Sequence, residues 1–358
     1  MTWPNIRDDL KLFDGYHSPQ LAVEVRLNTN ESPLPPPDQW VDEIQKAVTT
    51  IEWNRYPDRN AFELTSQLAE SHGVQANNVI PGNGSNEIIQ AILLAYGGNN
   101  RSAIVFEPTY AMHAQITKIT GTGIISCDRG ESLLCGSSGL ETLAITKPNI
   151  VFLCSPNNPS GVIEPKETII SALEYCSENS SLLVVDEAYG EFADWSAIEL
   201  VDNDAPIVVT RTFSKAHGFA AGRLGYAVGA NRIIDGMKEV LLPYHLDSFK
   251  QIAGTTALKY RSEMTQRVEY LKSERTRVSE ELKNLPLQVW DSAANFILFK
   301  PLDTVGISGN ALWRALVDYS VLVRNCSNWP NLTDCLRATI GTEQENNSFI
   351  DSLKAILG

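Results

Sequence analysis

IVFLCSPNNPSG, residues 150–161, is a run of five apolar residues without alternation that stops at a polar turn rich in proline and glycine. The pattern recurs downstream: LLVV (182–185) runs into Asp186-Glu187-Ala188-Tyr189, and IVVT (207–210) runs into Arg211-Thr212-Phe213-Ser214-Lys215. AIVF (103–106) is a further run of the same kind. Short apolar runs without alternation suit strands buried on both faces, as in a parallel sheet covered by helices. Residues 167–179 (ETIISALEYCSEN) read as a helix between two of these strands. Residues 61–73 and 86–98 read as two earlier helices, each closed by glycine. Alternating strands and helices make this region α/β, with a mostly parallel central sheet.

On either side the texture changes. The first 40 residues are rich in proline (Pro33, Pro35, Pro36, Pro37) and poor in periodicity, which predicts an extended arm. Beyond residue 235 a charged helix is expected over 262–285 and a strand over VWDSAANFILFK (289–300). A helix over 309–319, a strand over 321–324 and a last helix over 344–357 complete the chain. The expected organisation is an arm (1–40) packing on a smaller α+β domain (236–358), with a large α/β domain between them (41–235). No internal repeat or low-complexity segment is visible.

Composition narrows the function. The chain has 358 residues, 43% hydrophobic and 20% charged, ordinary for a globular protein with a full core. Twenty-nine Lys and Arg against 43 Asp and Glu give a formal charge of -14, which disfavours nucleic acid and anionic membranes as partners. Six cysteines without a CxxC pair read as reduced thiols, as in a cytoplasmic protein. The opening MTWPNIRDDLKLF has no apolar core, so a signal peptide is not expected there. No stretch approaches the roughly 18 apolar residues of a membrane span. The five histidines lack ligand spacing, so no metal site is expected.

The polar residues that follow the strands carry the chemistry. In an open parallel sheet the carboxyl ends of the strands form the ligand crevice. One rim therefore receives Asn158, Asp186 with Tyr189, and Ser214 with Lys215. PGNGSNE (81–87) adds a glycine turn feeding a helix, whose backbone N–H groups make a phosphate site. A phosphate cup, a buried acid and a lysine form the set that pyridoxal 5'-phosphate chemistry requires. The amine bonds the cofactor, the carboxylate keeps its ring nitrogen protonated, and donors hold its oxygens.

The order of motifs resembles the fold-type I pyridoxal-phosphate aminotransferases, and within them the histidinol-phosphate aminotransferase family. The matching stretches include RLNTNESP (26–33), RYPD (55–58), GNGSNE (82–87), FEPTYAMH (106–113), SPNNPSG (155–161), VVDEAYGEF (184–192), TRTFSKAHGFAAGRLGY (210–226), LPYHL (242–246), SAANFILF (292–299) and LRATIGT (336–342). The resemblance implies the type I transferase fold and assigns roles by position. Lys215 resembles the Schiff-base lysine and proton shuttle, Asp186 the partner of the ring nitrogen, and Tyr189 and Asn158 the donors to the phenolic oxygen. Tyr110 is placed like the aromatic that stacks on the ring. Gly84, Ser85, Asn86, Thr212, Ser214 and Arg223 resemble the phosphate cup. Tyr56 resembles the residue that reaches the phosphate from the other subunit, which implies a homodimer with shared sites. Arg337 and Arg324 resemble the arginines that hold the substrate anion, with Asn30, Tyr16 and Tyr244 as further substrate contacts. His217, beside the lysine, reads as a packing residue. The implied reaction exchanges an amino group between L-histidinol phosphate and 2-oxoglutarate. Aromatic amino-acid aminotransferase and threonine-phosphate decarboxylase share the cofactor motifs and remain alternatives. A non-catalytic regulator of the same fold is a remote one, since Lys215 is present and no basic extension precedes it.

Overall fold

A computed structural model describes residues 3–10 and 19–358. The first strand, β1 (Val25–Leu27), leaves the arm. Seven strands follow: β2 (Val79–Gly82), β3 (Ser102–Glu107), β4 (Gly123–Asp128), β5 (Ile150–Cys154), β6 (Leu182–Asp186), β7 (Ile207–Thr212) and β8 (Gly225–Gly229). They form one sheet in the order β2-β8-β7-β6-β5-β3-β4. It is parallel except at β8, which runs antiparallel to β2 and β7. The strands that the apolar runs predict are the centre of this sheet, and each buries both faces. Val151 and Leu153 of β5, with Leu183 and Val185 of β6, join one core, while Ile150, Phe152, Leu182 and Val184 join the core on the other face. The absence of alternation thus has a direct physical meaning here.

A second sheet holds β9 (Leu287–Val289), β10 (Phe296–Pro301), β11 (Val321–Asn325) and β12 (Leu336–Thr339), in the order β1-β11-β12-β10-β9. Only β1 pairs in parallel, with β11. The single strand expected over 289–300 is instead two strands. Residues 291–295 leave the ladder between them, because Ala293 N–H donates to the Gly161 carbonyl at 2.7 Å and Ser292 Oγ accepts from Ala294 N–H. Phe296, Phe299 and Phe349 pack with the long helix Arg261–Lys283 through Val268, Leu271 and Val278. Tyr189, Phe192 and Ala216, from the side of the large sheet, belong to that same core. The arm is divided: Val25–Leu27 joins the smaller sheet, whereas Arg7 donates to the Ile119 carbonyl at the end of the helix Met112–Ile119. Among the described residues no helix is long and apolar enough to cross a membrane.

Candidate active site

β5, β6 and β7 lie side by side and parallel, so their carboxyl ends share one rim. β2 and β3 point the same way, and the segments leaving these five strands enclose a cavity of about 270 Å³. Asn158, Asp186, Tyr189, Thr212, Ser214 and Lys215 line it from the central strands. Ser85, Asn86 and Tyr110 line it from the flanks, Arg223 from the turn before β8, Arg337 from the smaller sheet and Asn30 from the loop that follows β1.

Lys215 Nζ donates to the carbonyls of Asn30 (2.9 Å) and Thr29 (3.1 Å). Burial, reinforced by the cations Arg337 and Arg223 and only partly offset by Glu31, pushes its pKa down to about 7. Desolvation disfavours the charged ammonium, so a large share of this lysine is neutral, nucleophilic amine near neutral pH.

Asp186 is buried, and both of its oxygens are engaged. Oδ1 accepts from Thr210 Oγ1 and from Ala188 N–H, each at 3.1 Å, and Oδ2 lies 2.8 Å from His113 Nε2. The His113 ring is fully buried, stacked on Phe152 at 4.9 Å and set edge-on to Tyr110 at 5.5 Å. The sequence reading gave a role to Tyr110 and none to His113. Their spacing of three, at the start of the helix Met112–Ile119, was the available signal, because residues three apart share a helix face.

Opposite the carboxylate is an anion cradle. The twelve-residue helix Ser85–Tyr96 begins at Gly84, whose φ of +79° is strained for any residue with a side chain and which lies against Arg223. A Cβ there would stand 2.7 Å from Arg223 Nη2. Ser214 Oγ accepts from Arg223 Nη1 (3.1 Å) and Thr212 Oγ1 (3.0 Å). Open N–H groups at the helix start, two hydroxyls and a guanidinium together make a site for a phosphate.

The smaller sheet closes the other side. Asn30 Nδ2 donates to Tyr189 OH at 2.8 Å, and Thr339 Oγ1 donates to Asn30 Oδ1 at 3.1 Å. Arg337 donates to Asn158 Oδ1 through Nη1 and to the Asn28 carbonyl through Nη2 at 3.0 Å. Its buried Nε has no protein partner among the described residues. Arg324 stands directly opposite Arg337 in the β11–β12 register, so both side chains leave the same face of the sheet. Arg324 is buried, does not line the cavity, and sits with its guanidinium carbon 5.8 Å from the centre of the Trp329 ring.

Two expected contacts lie elsewhere. Tyr56 is 80% exposed and Tyr244 41% exposed, and their rings stack on each other at 4.5 Å, outside this cavity. Tyr16 lies outside the described residues. His217 stacks on Phe213 at 4.4 Å. The sequence reading did not single out Thr29, Met112, Cys154, Ala188 or Trp329, all of which line the cavity.

The family model for aminotransferase class I and II matches residues 22–353. The chain belongs to this family. Among its relatives, the histidinol-phosphate aminotransferase of Frankia casuarinae is 40% identical to this aminotransferase, over 97% of this chain and 89% of the relative. A histidinol-phosphate aminotransferase from Clostridium acetobutylicum has the same fold, with a TM-score of 0.85 at 24% identity, covering 93% of this chain and 98% of that one. So does the Sinorhizobium meliloti protein, solved in complex with pyridoxal-5'-phosphate, with a TM-score of 0.83 at 21% identity over 94% of this chain and 91% of that one.

Proposed function

We propose that this aminotransferase exchanges an amino group between L-histidinol phosphate and 2-oxoglutarate, a step of histidine biosynthesis, using pyridoxal 5'-phosphate held at Lys215. The observation that carries the reading is one cavity that joins a lysine of lowered pKa, a buried carboxylate, a helix-start anion cradle and a buried arginine. The name shared by its relatives at about 40% identity supports the substrate.

The residues fit that cofactor group by group. Gly84, Ser85, Asn86, Thr212, Ser214 and Arg223 would hold its phosphate. Asp186, braced by His113 and Thr210, would keep a proton on its ring nitrogen. Tyr110 would stack on its ring. Tyr189 OH accepts from Asn30, which leaves its own proton to donate to the phenolic oxygen, alongside the Asn158 amide. When bound, the cofactor supplies a conjugated ring that withdraws electrons from the substrate carbon. Lys215 Nζ, its pKa lowered to about 7, is the base that removes the proton from the amine-bearing carbon. Arg337, with Arg324 behind it, takes the substrate's anion. A guanidinium fork binds phosphate and carboxylate alike, as a pocket shared by histidinol phosphate and glutamate needs.

We also infer a homodimer with shared sites. Tyr56 and Tyr244, together with Phe62 (68% exposed) and Leu242 (78% exposed), form an aromatic and apolar face that a second copy would cover. From there Tyr56 would reach the partner's phosphate cup. Six free cysteines support a reducing, cytoplasmic setting.

The test is the visible absorbance of the purified holoenzyme. L-Histidinol phosphate should abolish the long-wavelength cofactor band, and 2-oxoglutarate should restore it. Conversion by phenylalanine or tyrosine but not by histidinol phosphate would overturn the substrate and leave the cofactor reading standing. A protein with intact Lys215 that binds no cofactor would overturn both.

A further inference from the structure

We propose that Arg267 is a positioning residue for the reaction: from the long helix Arg261–Lys283 it clamps the Lys215 turn to the arm segment whose carbonyls hold the lysine amine. The inference deepens the reaction proposed above, in which Lys215 is the working amine, and rests on it.

Arg267 is buried and does not line the cavity. Its Nη1 donates at 3.1 Å to the carbonyl of Ala216, the residue after Lys215. Its Nη2 donates at 2.7 Å to the carbonyl of Pro35 in the arm. Burial pushes its pKa down and no carboxylate offsets that effect, while its buried Nε has no protein partner among the described residues. His217, in the same turn, offers no countercharge either, since burial and the neighbouring arginines push it down to about 3. Burying a guanidinium without an anion is costly, and an apolar side chain of similar size fills such a place more cheaply. What Arg267 contributes is a link between two segments that lie far apart in the chain.

The same two segments meet at the amine. Lys215 Nζ donates to the Thr29 and Asn30 carbonyls, so turn and arm are tied twice, once through the amine and once through Arg267. They also touch directly. Gly218 closes the turn by donating to the Lys215 carbonyl at 3.1 Å, and a Cβ on it would stand 3.1 Å from the Leu34 carbonyl oxygen. The amine gives up its two carbonyls whenever it acts as nucleophile or base. The Arg267 tie uses backbone oxygens alone, so it holds the turn against the arm throughout. It thereby keeps water from the amine and returns Nζ to one place. Arg337, Glu31, Arg223, Asp186 and Tyr189 face the amine from the other elements and are left as they are by a change at Arg267.

The test is the pH dependence of Lys215 acetylation by acetic anhydride in the full-length, cofactor-free chain, read by peptide mass. Wild type is compared with Arg267→Met, Arg267→Lys and Val268→Ala, the last a truncation of the neighbouring core residue that leaves both bonds intact. Arg267→Met should raise the midpoint, about 7 in wild type, by about one unit, because water reaches the amine and favours its charged form. Labelling at pH 6 should then be about tenfold slower. Amide hydrogen exchange over residues 29–35 should quicken about tenfold as the arm is released. Arg267→Lys, long enough to reach the same carbonyls, should recover most of both effects, and Val268→Ala should show neither. An unchanged midpoint, an equal shift in Val268→Ala, or a shift without faster exchange, which is an effect of charge alone, overturns the proposal. If Arg267→Met does not fold, Arg267→Gln, too short to reach both carbonyls, takes its place with about half the shift expected; no shift overturns the proposal. A wild type that binds no pyridoxal phosphate refutes the reaction reading, and the inference with it. A wild type that carries out the reaction, with variants indifferent in both measurements, refutes Arg267 alone.

Discussion

The Lys215 cavity and the Tyr56–Tyr244 face are both built from aromatic and cationic residues, yet they are finished to different degrees. In the cavity, polar side chains bond to one another or to backbone: lysine to two carbonyls, aspartate to three donors, tyrosine to asparagine. The face contains the larger hollow, a cleft of about 740 Å³ between Arg59–Phe62 and Lys238–His245, with Phe62 and Leu242 mostly exposed beside it. Size therefore does not mark the chemistry in this molecule. Convergence of anchored polar atoms marks it, while uncovered aromatic surface marks where another molecule belongs.

The sharpest way to break that contrast is to remove the amine. Lys215→Ala should slow amino transfer by about 10³-fold or more, the range lost with a positioned proton-transfer group, measured as glutamate formation. No single substitution on the exposed face should approach that loss if the cavity alone carries the chemistry. Next is the brace behind the carboxylate. His113→Phe leaves Asp186 Oδ2 without its 2.8 Å partner. A hydrogen bond to a charged group is worth about 1.5–3 kcal/mol, so cofactor retention measured by equilibrium dialysis should weaken roughly 10- to 100-fold. Unaltered retention would show that Asp186 needs only Thr210 and Ala188.

On the exposed face, Leu242→Lys should weaken self-association by about 30-fold, as expected for a residue worth about 2 kcal/mol at the centre of an interface. Sedimentation would show the monomer, and activity should fall with the fraction of dimer. A dimer that survives this change would place the contact elsewhere. The smallest expected effect is on acid stability. Burial pushes His72 down to about 4 and His217 down to about 3, from 6.5. Below pH 6.5 the unfolded chain therefore binds more protons than the folded one, and stability falls as pH drops toward 4. Each ring contributes up to about 1.4 kcal/mol per pH unit. His217→Phe should flatten the decline in Tm between pH 6.5 and 4; an unchanged slope would show that carboxylates dominate it.

Much of this was legible along the chain. Asn158, Asp186, Tyr189, Thr212, Ser214 and Lys215 each follow an apolar run, and the rule that ligands gather at the carboxyl ends of parallel strands brings them together. Where polar residues interrupt a run the reading was less sure, as at Asp291 and Ser292, which stand where one expected strand becomes two. His113 was missed for a different reason. Its partner Asp186 is 73 residues away, and no periodicity records a hydrogen bond across that distance. Trp329 belongs to the same class, a loop residue whose meaning comes from the cavity it lines.

The sequence by itself determined the α/β fold, the strand ends that supply the rim and the residue types that gather there, because local burial pattern and turn chemistry are written in consecutive residues. Tertiary structure decided the rest. It set the lysine's lowered pKa, the bracing of Asp186 by His113, the pairing of Arg324 with Arg337 across two strands, and the outward position of Tyr56 and Tyr244. Desolvation, hydrogen bonding and stacking act between side chains over a few ångströms, and only the folded chain fixes which residues come that close.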